Sequence, residues 1–158
     1  TEAAHDFLWR AHQRVPGKGE IVIFNRSHYE DVLVTRVHNL VPKEIWSKRF
    51  DQINDFERLL AANGTAILKF FLHITPEEQL ARFKAREETA YKQHKITEED
   101  YRNRERWHEY VTAVDQKILR TTSEGAKWHV IPANDKYFAR IATLKAINKG
   151  LARRLRLP

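Results

Sequence analysis

The sequence predicts an α/β protein built around a parallel sheet. Three observations carry this. Three short runs are almost wholly apolar: Ile21-Val22-Ile23-Phe24, Thr65 to Ile74, and Trp128 to Ile131. Runs of that length and composition suit strands covered on both faces, as parallel strands are. Stretches with helical spacing of apolar residues separate them, and turn signals punctuate the boundaries. Strands alternating with helices favour crossover connections in one sheet.

Residues 5 to 14 read as a helix carrying Phe7, Leu8 and Ala11, ended by Pro16-Gly17-Lys18-Gly19. The first strand is expected at 21–24. A long amphipathic helix is expected over 43–62, with Ile45, Trp46, Ile53, Phe56, Leu59 and Leu60 on its apolar side. Asn63-Gly64 supplies its stop. The second strand spans 65–74. Thr75 then reads as an N-cap, Pro76 as the first helical residue and Glu78 as the third. Residues 87 to 96 are polar and poorly periodic. Thr97 opens a helix expected to continue to about Thr121, closed by Ser123-Glu124-Gly125. The third strand covers 128–131, and a last helix runs from Tyr137 to about Leu155.

The chain of 158 residues is long enough for a core without staples, and it contains no cysteine. No disulfide or thiolate metal site is available, which fits a cytoplasmic protein. No apolar run approaches a membrane span. The eight histidines lack metal-type spacing, and no Gly-x-Ser-x-Gly or His-Glu-x-x-His motif occurs. Lys and Arg total 28 against 21 Asp and Glu, a net charge of +7. Such a surplus attracts polyanions.

Ligands of open parallel sheets bind beyond the carboxyl ends of the strands. The first strand ends in Asn25-Arg26-Ser27-His28-Tyr29-Glu30-Asp31 and the third in Ala133-Asn134-Asp135-Lys136. The second leads into a helix with Arg82, Lys84 and Arg86 in its first turns. If these edges align, one crevice collects Arg26, Arg82, Arg86, Lys92, Lys95 and Lys136, with Glu30, Asp31 and Asp135 among them. Cations around a few carboxylates suit phosphoryl transfer: the cations neutralise phosphate oxygens and the carboxylates hold Mg²⁺. Arg82 and Arg86 share a helix face and could clamp a phosphate, or could pair with Glu78 or Glu87 as a solvated surface.

The motifs "IVIFNRSHYEDVLVTRVH", "FDQINDFERLL", "ILKFFLHITPEEQLARFKAR" and "WHVIPANDKYFARI" occur in an order and spacing that resemble the polyphosphate kinase 2 family. The resemblance runs from about Asp6 to Lys149 and is closest to the branch with the Asn-Arg-Ser-His-Tyr-Glu-Asp loop. It implies a P-loop kinase-like fold of three α/β/α layers, with a parallel sheet and a helical lid at about 76–121. The whole of 1–158 would then be one partial domain. It implies Mg²⁺-dependent transfer between inorganic polyphosphate and the nucleotides AMP, ADP and ATP. Asn25, Arg26, Arg82 and Arg86 would be catalytic, with Glu30 and Asp31 at the nucleotide. Lys84, Lys92, Lys95 and Lys136 would bind polyphosphate, and Asp135 would reach the metal. A homo-oligomer, dimer or tetramer, is expected; a membrane is not, and nucleic acid is not favoured.

Asn25 stands where other members carry a metal-directed Asp. Thr89, Ala90 and His94 stand where the family's lid commonly carries Asp-Pro and a Trp between two lysines. The Gly-rich phosphate loop with its Asp and Lys is expected before residue 1, so the chain by itself is not expected to be a competent kinase. A non-catalytic module that binds polyanions without that loop is the alternative, with affinity that falls steeply as salt rises.

Overall fold

The computed structural model describes residues 4–155, without the side chains of Lys92 and Lys95. Its helices are α1 (Trp9–His12), α2 (Val34–Val37), α3 (Lys43–Ala62), α4 (Pro76–Glu87), α5 (Glu98–Glu105), α6 (Trp107–Thr121) and α7 (Lys136–Leu155). Short 3-10 turns cover His28–Val32 and Ala90–Lys95, and two strands, β1 (Lys69–His73) and β2 (Trp128–Pro132), complete the elements. The chain forms two compact units. One runs to Ile67 and includes Glu109–Ala126; the other takes Leu68–His108 and continues from Lys127.

The first unit is helical among its described residues. Phe50 and Ile53 of α3 are completely buried and Phe56 nearly so. Each such side chain contributes roughly 1.5–3 kcal/mol of burial. Leu33 and Val37 pack on Ala113, flanked by Tyr110 and Val114 of α6. The end of α3 follows its sequence signal closely. Gly64 takes φ +90°. Its amide donates to the Ala61 carbonyl at 3.0 Å and that of Thr65 to Leu60 at 3.0 Å. This is the Schellman pattern, which needs a left-handed residue just past the helix.

Four expectations are corrected here. Residues 21–24 form no strand in the first unit. A strand exists only through a ladder partner, and the described residues of this unit contain none. Nor is the run covered on both faces: Ile21 and Ile23 are 76% and 84% exposed, Val22 and Phe24 41% and 42%. The alternation with period two is that of an extended segment. The single helix expected over 97–121 is two helices. Arg106 breaks it, leaving the helical region at φ −92° and ψ 23°. α5 is tied to α4 by Tyr101 edge-on to Phe83 at 5.4 Å, while α6 delivers Ala113 to the core of the first unit. Helix α1 is also shorter than the 5–14 expected, and β1 shorter than 65–74.

In the second unit β1 and β2 pair in parallel, from Lys69 opposite Trp128 to His73 opposite Pro132. The parallel sheet is thus present, with two strands. Ile131, Ala133 and Ala139 form its core with Phe70, Ile74 and Ala142, so α7 covers one face. Gly150 lets α7 pass Leu68: an added Cβ would lie 2.9 Å from both Leu68 methyls. The cap at α4 forms as expected, with Thr75 Oγ1 accepting from the Glu78 amide at 3.3 Å and Pro76 in the first turn. Thr97 and Asp100 cap α5 reciprocally in the same way.

Candidate functional site

The polar burst after residue 24 is a tightly anchored turn in the first unit. Asn25 and Arg26 are exposed, and Arg26 has φ +63°. A non-glycine residue there is held against its own preference, a conformation concentrated at working sites. Ser27 Oγ accepts from the Tyr29 amide at 3.4 Å and starts the 28–32 turn. Tyr29 and Val32 point inward, at 5% and 0% exposure. Glu30 and Asp31 lie between them.

Each part of this turn has a partner from a helix. Tyr29 donates its hydroxyl to Glu57 Oε1 of α3 at 2.5 Å. Burial pushes the Tyr29 phenol well above its ordinary value, and the Glu57 charge adds to that. The ammonium of Lys117, from α6, lies 5.9 Å from the centre of the Tyr29 ring. Burial lowers Lys117 to about 8, and the Glu30 carboxylate opposes this. Arg49 of α3 donates to the Asp31 carboxylate at 3.0 Å and to its backbone carbonyl at 3.2 Å. The Arg49 guanidinium also covers the Phe7 ring at 4.8 Å. Burial raises Asp31, and Arg49 opposes the rise.

In the second unit, the carboxyl ends of the two strands are knitted to α4. The Thr75 amide donates to Asn134 Oδ1 at 3.0 Å. Arg82 donates through Nε to Glu78 Oε1 at 2.7 Å, and through Nη2 to the carbonyls of Ala133 at 2.5 Å and Asn134 at 3.2 Å. The pairing of Arg82 with Glu78 weighed from the sequence is therefore present. Arg86 lies half-buried on α4, and Lys84 and Lys136 are exposed. Lys92 and Lys95 belong to the 90–95 turn, and their side chains lie outside the described residues. Asp135 caps α7: its Oδ1 accepts from the amides of Tyr137 at 2.7 Å and Phe138 at 2.9 Å.

The expected residues thus fall into two groups. Asn25, Arg26, Glu30 and Asp31 belong to the first unit; Arg82, Lys84, Arg86, Asp135 and Lys136 belong to the second. No group of three or more His, Asp or Glu side chains among the described residues could cage a metal ion. Mg²⁺ is commonly held by one or two carboxylates with phosphate oxygens supplying the rest. Asp31 and Asp135 each have one oxygen already engaged, so these residues do not by themselves build a site for the ion.

Sequence reasoning missed Glu57, Arg49 and Lys117. A signal for two of them existed. Glu57 falls on the same α3 stripe as Phe50 and Ile53, and Lys117 on the α6 stripe of Ala113 and Thr121; all are buried. A charge on a core-facing helix position points to a buried partner. A cavity of about 370 Å³ in the first unit, lined by Asn54, Glu57, Arg58 and Ser123 among others, includes none of the candidate site residues named from sequence.

The family model described as polyphosphate kinase 2 matches residues 1–156. An AMP/ADP-polyphosphate phosphotransferase of Meiothermus ruber is 53% identical over 137 residues, covering 87% of this chain and 51% of the relative. A polyphosphate:AMP phosphotransferase of Pseudomonas aeruginosa is 43% identical over 150 residues, covering 95% of this chain and 30% of the relative. The crystal structure of polyphosphate kinase 2 from Arthrobacter aurescens superimposes with a TM-score of 0.92 at 40% identity, over 96% of this chain and 53% of that one. The chain therefore spans about half the length of the Meiothermus relative and about a third of the Pseudomonas one. With the model matched along nearly its whole length, the chain belongs to the polyphosphate kinase 2 family.

Proposed function

We propose that the protein containing this chain moves a phosphoryl group between inorganic polyphosphate and a nucleoside mono- or diphosphate, with Mg²⁺. The observation that carries the reading is the family match over residues 1–156, joined to 53% identity with an AMP/ADP-polyphosphate phosphotransferase. In the direction of nucleotide synthesis, a terminal phosphate oxygen of the nucleotide attacks the end phosphorus of polyphosphate. The new P–O bond forms on the nucleotide, and the bond to the penultimate phosphate breaks. The shortened polyphosphate leaves with the electron pair.

Such transfer is driven by positioning and by charge neutralisation. We assign Arg26 and Arg86 to the transferred phosphoryl group, with Asn25 beside it. Arg82 orders the second unit's strand ends and presents its remaining nitrogen to phosphate. Lys84, Lys92, Lys95 and Lys136 supply positive charge along the polymer. Glu30 and Asp31 face the nucleotide. Mg²⁺ would neutralise phosphate charge, and Asp135 would be the carboxylate this chain contributes to holding it. The fold of this reading is a P-loop kinase-like α/β/α core with a lid at about 76–121, assembled as a dimer or tetramer in the cytoplasm.

The test is direct. Full-length protein supplied with polyphosphate, Mg²⁺ and AMP or ADP forms the next higher phosphate of the nucleotide, read by coupled luminescence or chromatography. Absence of product from both acceptors overturns the reading.

A further inference from the structure

We propose that Lys117 is a positioning residue for the nucleotide end of this reaction: its buried side chain, with the ammonium set against the Tyr29 ring, holds the 28–32 turn in shape. The inference rests on the reading that this turn meets the nucleotide.

A lysine at 4% exposure carries a charge that is costly to bury. Its helix position, between buried Ala113 and Thr121, would take an apolar side chain of similar volume without that cost. What Lys117 has instead are surroundings that favour a cation, in a site whose other members are fixed. The Tyr29 ring offers its face at 5.9 Å. The Glu30 carboxylate lies within electrostatic reach. Glu57, from α3, holds the other end of the same tyrosine at 2.5 Å. Thr121 Oγ1 donates to the Lys117 carbonyl at 2.6 Å, locking the last turn of α6.

The turn itself spans five residues, His28–Val32. A 3-10 segment of that length has poor internal hydrogen bonds, so its shape comes from its anchors. Those anchors are two cations from two helices, one on the Asp31 carboxylate and one against the Tyr29 ring. Arg49 of α3 engages Asp31 at 3.0 Å, and Lys117 of α6 faces the ring of Tyr29, the residue before Glu30, at 5.9 Å. The lone pairs left over are acceptors. Acceptors of that kind suit hydroxyl and amino donors, which are carried by the ribose and base of a nucleotide and not by polyphosphate. Lys117 therefore acts on one substrate and not on the other.

The experiment uses the full-length protein with Lys117→Met, which keeps length and removes charge, and Lys117→Arg, which restores it. The KM for ADP or AMP is measured at saturating polyphosphate, and the reverse. K117M is expected to raise the nucleotide KM about tenfold, which corresponds to 1.4 kcal/mol of lost binding, and to leave the polyphosphate KM within about twofold. K117R is expected to recover most of the difference. An unchanged nucleotide KM, or both KM values rising together, overturns the proposal. If K117M does not accumulate as folded protein, K117Q is read by the same criteria. Amide hydrogen exchange over residues 28–33 separates this inference from the functional reading. Exchange there quickens in K117M, while residues 50–53 of α3 keep their protection, whether or not the wild type transfers phosphate; unchanged exchange over 28–33 also overturns it.

Discussion

Arg82 of α4 donates through Nη2 to the backbone carbonyl of Asn134 at 3.2 Å, joining residues 52 positions apart in the chain. The same nitrogen reaches the Ala133 carbonyl, and Nε is held by Glu78. One guanidinium fork therefore fixes the loop after β2 to the helix after β1. Replacing it with Lys keeps the charge and loses the fork. R82K is expected to lower stability by about 1–2 kcal/mol, read by denaturant unfolding. Undiminished stability with lost phosphoryl transfer would instead place Arg82 in the reaction alone.

Asp135 has two possible uses that different substitutions separate. Its Oδ1 caps α7 through the amides of Tyr137 and Phe138. D135A removes the cap and is expected to cost about 1 kcal/mol, while D135S keeps a capping oxygen. If Asp135 also contributes to Mg²⁺, D135S raises the Mg²⁺ concentration needed for half-maximal activity by several-fold at normal stability. An unchanged Mg²⁺ requirement in D135S takes Asp135 out of the metal site.

Arg26 holds a left-handed backbone at φ +63° with its side chain exposed. Glycine adopts that conformation without the roughly 1–2 kcal/mol that an L-side chain incurs. R26G is expected to match or exceed the wild-type melting temperature while kcat falls by about two orders of magnitude, as for loss of one charge-stabilising donor. Retained kcat in R26G would show that the conformation serves something other than the transferred phosphate.

The buried pair at the turn gives a pH signature. Lys117 is lowered to about 8 from an ordinary value of 10.5. Between those values the unfolded chain binds a proton that the folded chain does not, so stability rises with pH across that window. Tyr29 is shifted the other way, above its ordinary value of 10. Its contribution is full below pH 10 and lost above it. Wild-type stability is therefore expected to climb from about pH 8 and turn down beyond about pH 10. K117M should lack the climb and be at least as stable as wild type at pH 7, because an apolar side chain replaces a buried charge. Thermal unfolding scanned from pH 7 to 11 checks both limbs.

Several elements were legible before any coordinates because their causes lie within a few residues. The bounds of α3 and the start of α4 follow from Asn63-Gly64 and Thr75-Pro76, and both sets of capping bonds are made. The break at Arg106 was not legible: α5 and α6 each have their own apolar contacts, and the tertiary partners that divide them are Phe83 in one unit and Leu33 and Val37 in the other. The run Ile21 to Phe24 has the composition of a strand, but composition cannot supply a ladder partner.

The site divides along the same line. The sequence by itself determined the family, through the order and spacing of its motifs, and it marked Asn25 to Asp31 and Asn134 to Lys136 as polar ends of apolar runs. Only the tertiary structure decided what those side chains are engaged with. Arg82 holds carbonyls of the β2 loop, and Asp31 is matched by Arg49. Tyr29 meets Glu57 across 28 positions, and Lys117 meets Tyr29 from a helix still further along the chain. Caps and turns are local interactions that a short window contains. Burial of charge is set by which distant segments pack together, and no window of sequence contains both partners.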